Sequence, residues 1–331
     1  MKFSTPLSST DAIRLINTLS LRRTPFLFVV DYSATTWHVS PLADIDATTC
    51  LFSIANLTNA TPQVPTPSPT LSFTPPPYDS YRRQFDVVMR HLRRGDTFLT
   101  NLTTAVPITL NGTLSDVFHA SHAPFRLLMD TPDGGQFVCF SPEPFVAIDA
   151  DGRISSFPMK GTARADHPDA LRQLIDSPKE AAEHATIVDL IRNDLSQSCH
   201  DVHVARYRYA EKITTSRGAI WQTSSAIVGT LPPDYPTRLG DILASMLPAG
   251  SITGAPKPMT QSIIAEAEDA PRGYYTGVMG VSDGRTLTSA VMIRFIVRHP
   301  DGQTFYHAGG GITARSDAHS EYEEVLTKIY L

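Results

Sequence analysis

The chain has 331 residues, of which 41% are hydrophobic and 18% charged, with a formal net charge of −5 at pH 7. This is the balance of a folded chain with a sizeable core, and the negative charge argues against nucleic acid or an anionic membrane as principal partner. No apolar run approaches the ~20 residues needed to cross a bilayer. Cys50, Cys139 and Cys199 are spaced for neither a disulfide framework nor a C-x-x-C metal site, so a reduced, cytoplasmic setting is expected.

In chain order, Ile13 and Ile16 predict a helix from Ser9, followed by a buried strand at FLFVV, 26–30. Seven prolines between 62 and 77 exclude helix interior and central strand and predict an extended connector. Beyond it, Asp79 or Ser80 is placed to cap a helix whose apolar face carries Tyr81, Phe85, Val88 and Leu92, with Gly95 as its stop. The expected organisation is a short α/β region over 1–61, the connector 62–77, and a catalytic region 78–331 that forms one compact domain with the first. FRLLM, FVCF and PFVAI predict short strands, and Asp151-Gly152, Asp283-Gly284 and Asp301-Gly302 predict hairpin turns. AAEHATIVDLIRNDL predicts a helix over 181–195. Grouped strands with irregularly interspersed helices indicate α+β with largely antiparallel sheets.

Several residues carry chemistry. Lys160, in FPMKGTARAD, is one of six lysines against 22 arginines. It is either a surface charge or a group that loses its proton and acts as nucleophile or base, which arginine cannot do. In HSEYEEVLTKIYL, Glu321, Glu324 and Lys328 share one helical face. That face is either a solvated stripe or two carboxylates aimed at Mg²⁺ with a lysine for an anion. Glu183 is aligned with the apolar stripe of Ile187, Leu190 and Ile191, as a rim residue or as a carboxylate partnered by a metal. PAGSITGAPK fails the phosphate-loop pattern, because three residues rather than four separate Gly250 from Gly254 and Lys257 is not adjacent. AGGGIT offers amides for close approach to an anion, or only a tight turn. Arg294 lies within an apolar strand and calls for an acidic partner, from protein or ligand. Glu143, between two prolines after FVCF, becomes a plausible proton donor if burial raises its pKa.

FSPEPF, PMKGTARAD, EHATIVDLIRNDL, LPAGSITGAPKPMT, RGYYTGVMG, IRF, AGGGITARSD and EYEEVLTK occur in one order over roughly residues 78 to 331. Together they resemble the chorismate-utilising enzymes, whose fold is a sandwich of antiparallel sheets with helices outside. PMKGT resembles the aminodeoxychorismate synthases, whereas anthranilate, isochorismate and salicylate synthases usually carry alanine at the lysine position. The resemblance implies folate-precursor chemistry. Lys160 would attack C2 of chorismate as the C4 hydroxyl leaves, Glu143 would protonate that hydroxyl, and ammonia would then add at C4. Glu183 and Glu324 would ligate Mg²⁺ with support from Glu321. Thr253, Gly254, Tyr275, Arg294, Lys328 and the Gly309, Gly310 and Gly311 amides would hold the substrate.

Two positions depart from the family. Leu99 stands where the isochorismate and salicylate makers place a lysine base, and Gln222 where a histidine is often found. No cysteine lies in the glycine-flanked turn of a glutaminase, so ammonia is expected from a separate glutamine amidotransferase subunit. The alternatives are an anthranilate synthase component with Lys160 tolerated, and a catalytically silent binding subunit.

Overall fold

The computed structural model describes residues 3, 5–65, 67–215 and 218–331. It contains two large sheets. The first runs, in spatial order, Met159–Arg164, Gly218–Thr230, Arg153–Ser156, Pro144–Ile148, Leu287–Val291, Val278–Ser282, Phe26–Val30 and Trp37–Pro41, with His200–Thr215 also paired to Gly218–Thr230. The second runs Gly254–Ala255, Leu99–Asn111, Thr304–Ile312, Phe295–Arg298, Gln136–Ser141, Phe125–Asp130, Cys50–Ile54 and Leu57–Thr58. Pairings among the described residues are antiparallel.

The strand Phe26–Val30 explains the layering. All five residues are buried, so the run shows no polar alternation, as expected for a strand covered on both faces. Phe26, Phe28 and Val30 join Ile16, Ile242 and Leu243 of flanking helices. Leu27 and Val29 join Phe52, Leu127, Phe137 and Phe295 of the other sheet. On the far side, Tyr81, Phe85, Val88 and Leu92 pack with Leu102, Val106 and Tyr306. The result is a sheet-on-sheet sandwich with helices outside. The three Asp-Gly turns close hairpins, and 181–195 lies inside the helix Pro178–Ser196.

Two expectations change. The helix begins at Tyr78 after Pro77, with no side-chain cap, so Asp79 and Ser80 lie within its first turn; there the Asp79 charge acts on the helix dipole rather than as a cap. The proline-rich stretch is also not connector throughout. Its proline-free Thr70–Phe73 keeps its amides and pairs with 108–111 as an edge strand.

Leu127 is fully buried between the sheets. Leu127→Ala is expected to cost about 2–5 kcal/mol in urea unfolding; a cost under about 1 kcal/mol would contradict this packing.

Candidate active site

The site lies where one strand stops. Thr304–Ile312 pairs with Leu99–Asn111 from Phe305 to Ile312, but its other neighbour ends with Phe295 opposite His307. Beyond His307 that edge has no paired strand among the described residues, and Gly309, Gly310 and Gly311 lie there. Arg294 does not lie within a strand, as its sequence suggested, but at the bend before Phe295–Arg298, at φ 53°, a left-handed conformation unusual for a non-glycine residue and found at functional sites. Its carbonyl accepts from the Phe140 amide at 3.0 Å, and its guanidinium donates to Tyr330 Oη at 3.2 Å.

The glycines bring cations and carboxylates close to this edge. A β-carbon on Gly310 would stand 3.6 Å from Lys328 Nζ and 3.7 Å from both Glu321 Oε2 and Glu324 Oε1. One on Gly311 would stand 3.3 Å from Lys160 Nζ and 3.1 Å from Leu99 Cδ1. Successive strand residues point to opposite faces, so the C-terminal helix and Lys160 approach the strand from its two sides. Lys328 donates to the Gly309 carbonyl at 2.7 Å and pairs with Glu324 at 2.8 Å. Burial lowers its pKa, opposed by the Glu324 charge.

Glu143 follows the strand Gln136–Ser141. Its amide donates to Ser141 Oγ at 3.1 Å, and its carbonyl accepts from the Val291 amide at 3.2 Å. Burial pushes its carboxyl up, against a hydrogen bond from Ser251 and the charges of Lys160, Arg294 and Lys328, which pull it down. These interactions place one acid among three cations. A small cavity of about 20 Å³ adjoins Glu143, Ser251 and Asp194, roughly the space of one water.

Lys160 sits in Met159–Arg164, where a register shift between Met159 and Thr162 interrupts the pairing; such bulges re-aim side chains. The Lys160 carbonyl accepts from Thr223 Oγ1. Beside it, buried His184 shares a 2.6 Å hydrogen bond between Nε2 and Ser225 Oγ. Burial, with Arg208 and Lys160 nearby, lowers the His184 pKa to about 4.

The other predicted residues surround the same edge. Thr253 is buried, its hydroxyl donates to the Ala249 carbonyl at 2.9 Å, and its carbonyl accepts from the Asn101 amide at 2.9 Å. Gly254 pairs with Thr100 at φ +128°, and a β-carbon there would fall 1.9 Å from the Leu99 carbonyl oxygen. Only glycine fits. Buried Tyr275 has its ring centroid 5.0 Å from His307 and 5.9 Å from Phe295.

The three carboxylates expected to hold a metal differ in their surroundings. Glu321 is 5% exposed, whereas the Glu324 side chain is 53% exposed. Glu183 presents one buried carboxylate oxygen. Among the described residues no three His, Cys, Asp or Glu side chains converge into a ready metal cage. Hard carboxylate oxygens converging near Gly310 nonetheless suit Mg²⁺, which often takes one or two protein carboxylates and completes its shell with water and substrate.

Reading the sequence missed Ser251, Thr223 and His184, whose roles depend on contacts across the fold. It also missed a buried pair, Lys257 with Asp194 at 2.6 Å. Lys257 also donates to the Met246 carbonyl at 2.8 Å, so this lysine ties a loop to a helix. Gln222 pairs in register with Thr162, two residues from Lys160.

Over residues 23–331 the chain matches the family of chorismate binding enzymes, and it belongs to that family. It is 46% identical over 321 residues to an uncharacterised PabA-like protein of Haemophilus influenzae, covering 96% of this chain and 95% of that one. It is 36% identical to an anthranilate synthase component 1 of Haloarcula marismortui, over 76% of this chain and 52% of the relative. It is 33% identical to an aminodeoxychorismate synthase component 1 of Klebsiella aerogenes, over 76% and 56%. A solved isochorismate synthase, DhbC of Bacillus anthracis, superimposes with a TM-score of 0.76 at 18% identity, covering 98% of this chain and 89% of that one, and so shares the fold. No helix among the described residues is long and apolar enough to cross a membrane.

With its pKa raised, Glu143 holds its proton more tightly in the folded than in the unfolded chain. The stability from this group is complete below the ordinary carboxylate range and is lost as pH rises through the raised value. Glu143→Gln is neutral throughout. Its melting temperature relative to wild type should improve as pH rises above the ordinary carboxylate range. A difference that stays constant with pH would contradict a raised carboxyl.

Proposed function

We propose that the chain is the chorismate-aminating component of an aminodeoxychorismate synthase, converting chorismate and ammonia to 4-amino-4-deoxychorismate and water. The observation that carries this reading is the position of the Lys160 amine. It faces the Gly311 backbone beside the apolar Leu99 side chain, within electrostatic reach of Glu143. A lysine there has a chemical task that alanine does not.

In this reading Arg294, Lys328 and the glycine edge bind the substrate carboxylates, while Thr253, Gly254 and Tyr275 line the ring pocket. Lys160 Nζ attacks C2, the two ring double bonds shift, and the C4–O bond breaks. Protonated Glu143 delivers its proton to the departing oxygen, which leaves as water. Ammonia then adds at C4, the double bonds shift back, and the C2–N bond breaks. Glu143 recovers a proton from the nitrogen groups, and Lys160 departs as the free amine. Glu183, Glu321 and Glu324 would hold Mg²⁺, which offsets the charge of the ring carboxylate as it develops. Leu99 gives no base to activate water at C2, which disfavours isochorismate formation. The ammonia comes from a separate glutamine amidotransferase. Similarity to the Haloarcula relative keeps anthranilate formation as the second reading, although it leaves Lys160 without a task.

The test is incubation with chorismate, Mg²⁺ and an ammonium salt, with products identified by mass and fluorescence. Wild type should yield aminodeoxychorismate, and Lys160→Ala should lose about a hundredfold or more of the rate, the scale for a group acting on the reacting atoms. Anthranilate as the wild-type product, or an undiminished rate in Lys160→Ala, would overturn the assignment.

A further inference from the structure

The segments proposed to contact substrate come from distant parts of the chain, and one buried ion pair joins them. Arg272 and Glu268 are four residues apart, with side chains 2% and 6% exposed. Arg272 Nε donates to Glu268 Oε2 at 2.9 Å and Nη2 to Oε1 at 2.6 Å. The remaining reach of the guanidinium goes to backbone. Nη1 donates to the Ile252 carbonyl at 2.9 Å, and Nη2 to the Asn101 carbonyl at 2.5 Å. Glu268 Oε1 in turn accepts from both the Thr103 amide and the Thr103 hydroxyl at 2.9 Å. The Arg272 carbonyl accepts from the Tyr275 amide at 3.1 Å.

Each of these anchors lies beside a proposed binding element. Ile252 precedes Thr253. Asn101 is the pairing partner of Gly311, and Thr103 that of Gly309. Tyr275 is bonded directly. The guanidinium also lies 4.5 Å from the centroid of the Tyr32 ring. A planar fork with several fixed donors can hold two carbonyls and a carboxylate at once, which a lysine ammonium on a flexible stem does less well.

We infer that Arg272 and Glu268 are positioning residues for chorismate binding. They set the spacing between the Thr253 loop, the Gly309–Gly311 strand and Tyr275 without touching the substrate. Loss of that spacing displaces the Thr253 loop, the glycine strand and Tyr275, which grip the substrate in the proposed reading. Because these groups grip parts of the substrate that do not react, their displacement weakens ground state and transition state alike, so KM rises while kcat is spared. This inference rests on the chorismate reading of the same pocket.

The experiment compares wild type with Glu268→Gln, which keeps the shape and one acceptor, and Thr103→Val, which removes only the hydroxyl donor. Chorismate affinity is measured by titration calorimetry with Mg²⁺ in proteins that also carry Lys160→Ala, so that no covalent adduct forms, while KM, kcat and thermal melting are measured with Lys160 intact. Glu268→Gln should raise both Kd and KM about tenfold, with kcat within about threefold, and Thr103→Val should move them in the same direction by about threefold. If Glu268→Gln fails to fold, the shift in Thr103→Val alone carries the inference. Wild-type Kd and KM in every variant that melts cooperatively would reduce the pair to structural glue and overturn it. Failure of wild type itself to bind chorismate would instead overturn the substrate assignment, and this inference with it.

Discussion

An unpaired strand edge inside a closed sandwich is the constraint on which the site depends. Backbone amides and carbonyls withdrawn from water need partners. The strand Thr304–Ile312 loses its second neighbour after His307, where Phe295 begins the adjacent strand and Arg294 turns away. Lys328 satisfies part of the exposed edge by donating to the Gly309 carbonyl. The glycines remove the side chains that would otherwise fill the gap. What remains is a slot at the strand edge, with Lys328 beside Gly310 and Lys160 beside Gly311.

Charge balance follows from that slot. Lys160, Arg294 and Lys328 all act on Glu143, and Lys328 is matched by Glu324. A cluster of cations around a single acid is unfavourable without counter-charge. In the proposed reading, a dicarboxylate substrate supplies that charge on binding. The convergence of Glu321 and Glu324 near Gly310 adds carboxylate charge on the opposite side of the strand. There a divalent cation would join the Lys328–Glu324 pair, bringing a further positive charge next to the lysine.

Much of this was legible in the sequence because it is local. The i, i+3, i+7 spacing placed Glu321, Glu324 and Lys328 on one helix face, and the helix Ala318–Thr327 carries the first two. The run FLFVV, without alternation, indicated a strand covered on both sides. Three adjacent glycines indicated close approach to an anion or a tight turn; the structure makes them part of the strand Thr304–Ile312, with charged side chains beside them. What was not legible is long-range. Arg272 reaches Asn101 across 171 residues, and Lys257 finds Asp194; neither has a spacing to betray it. The edge strand Thr70–Phe73 was hidden because prolines on both sides mask a short window that still pairs.

The central claim is that Lys160 is a nucleophile rather than a fixed charge, and the most direct measurement is intact-protein mass spectrometry after acid quench. The protein is incubated with chorismate and Mg²⁺ while ammonia is withheld. The expected result is a mass increase equal to chorismate less one water, mapped by peptide analysis to Lys160 and absent from Lys160→Ala. An unmodified Lys160 in a preparation that makes aminodeoxychorismate once ammonia is supplied would contradict it.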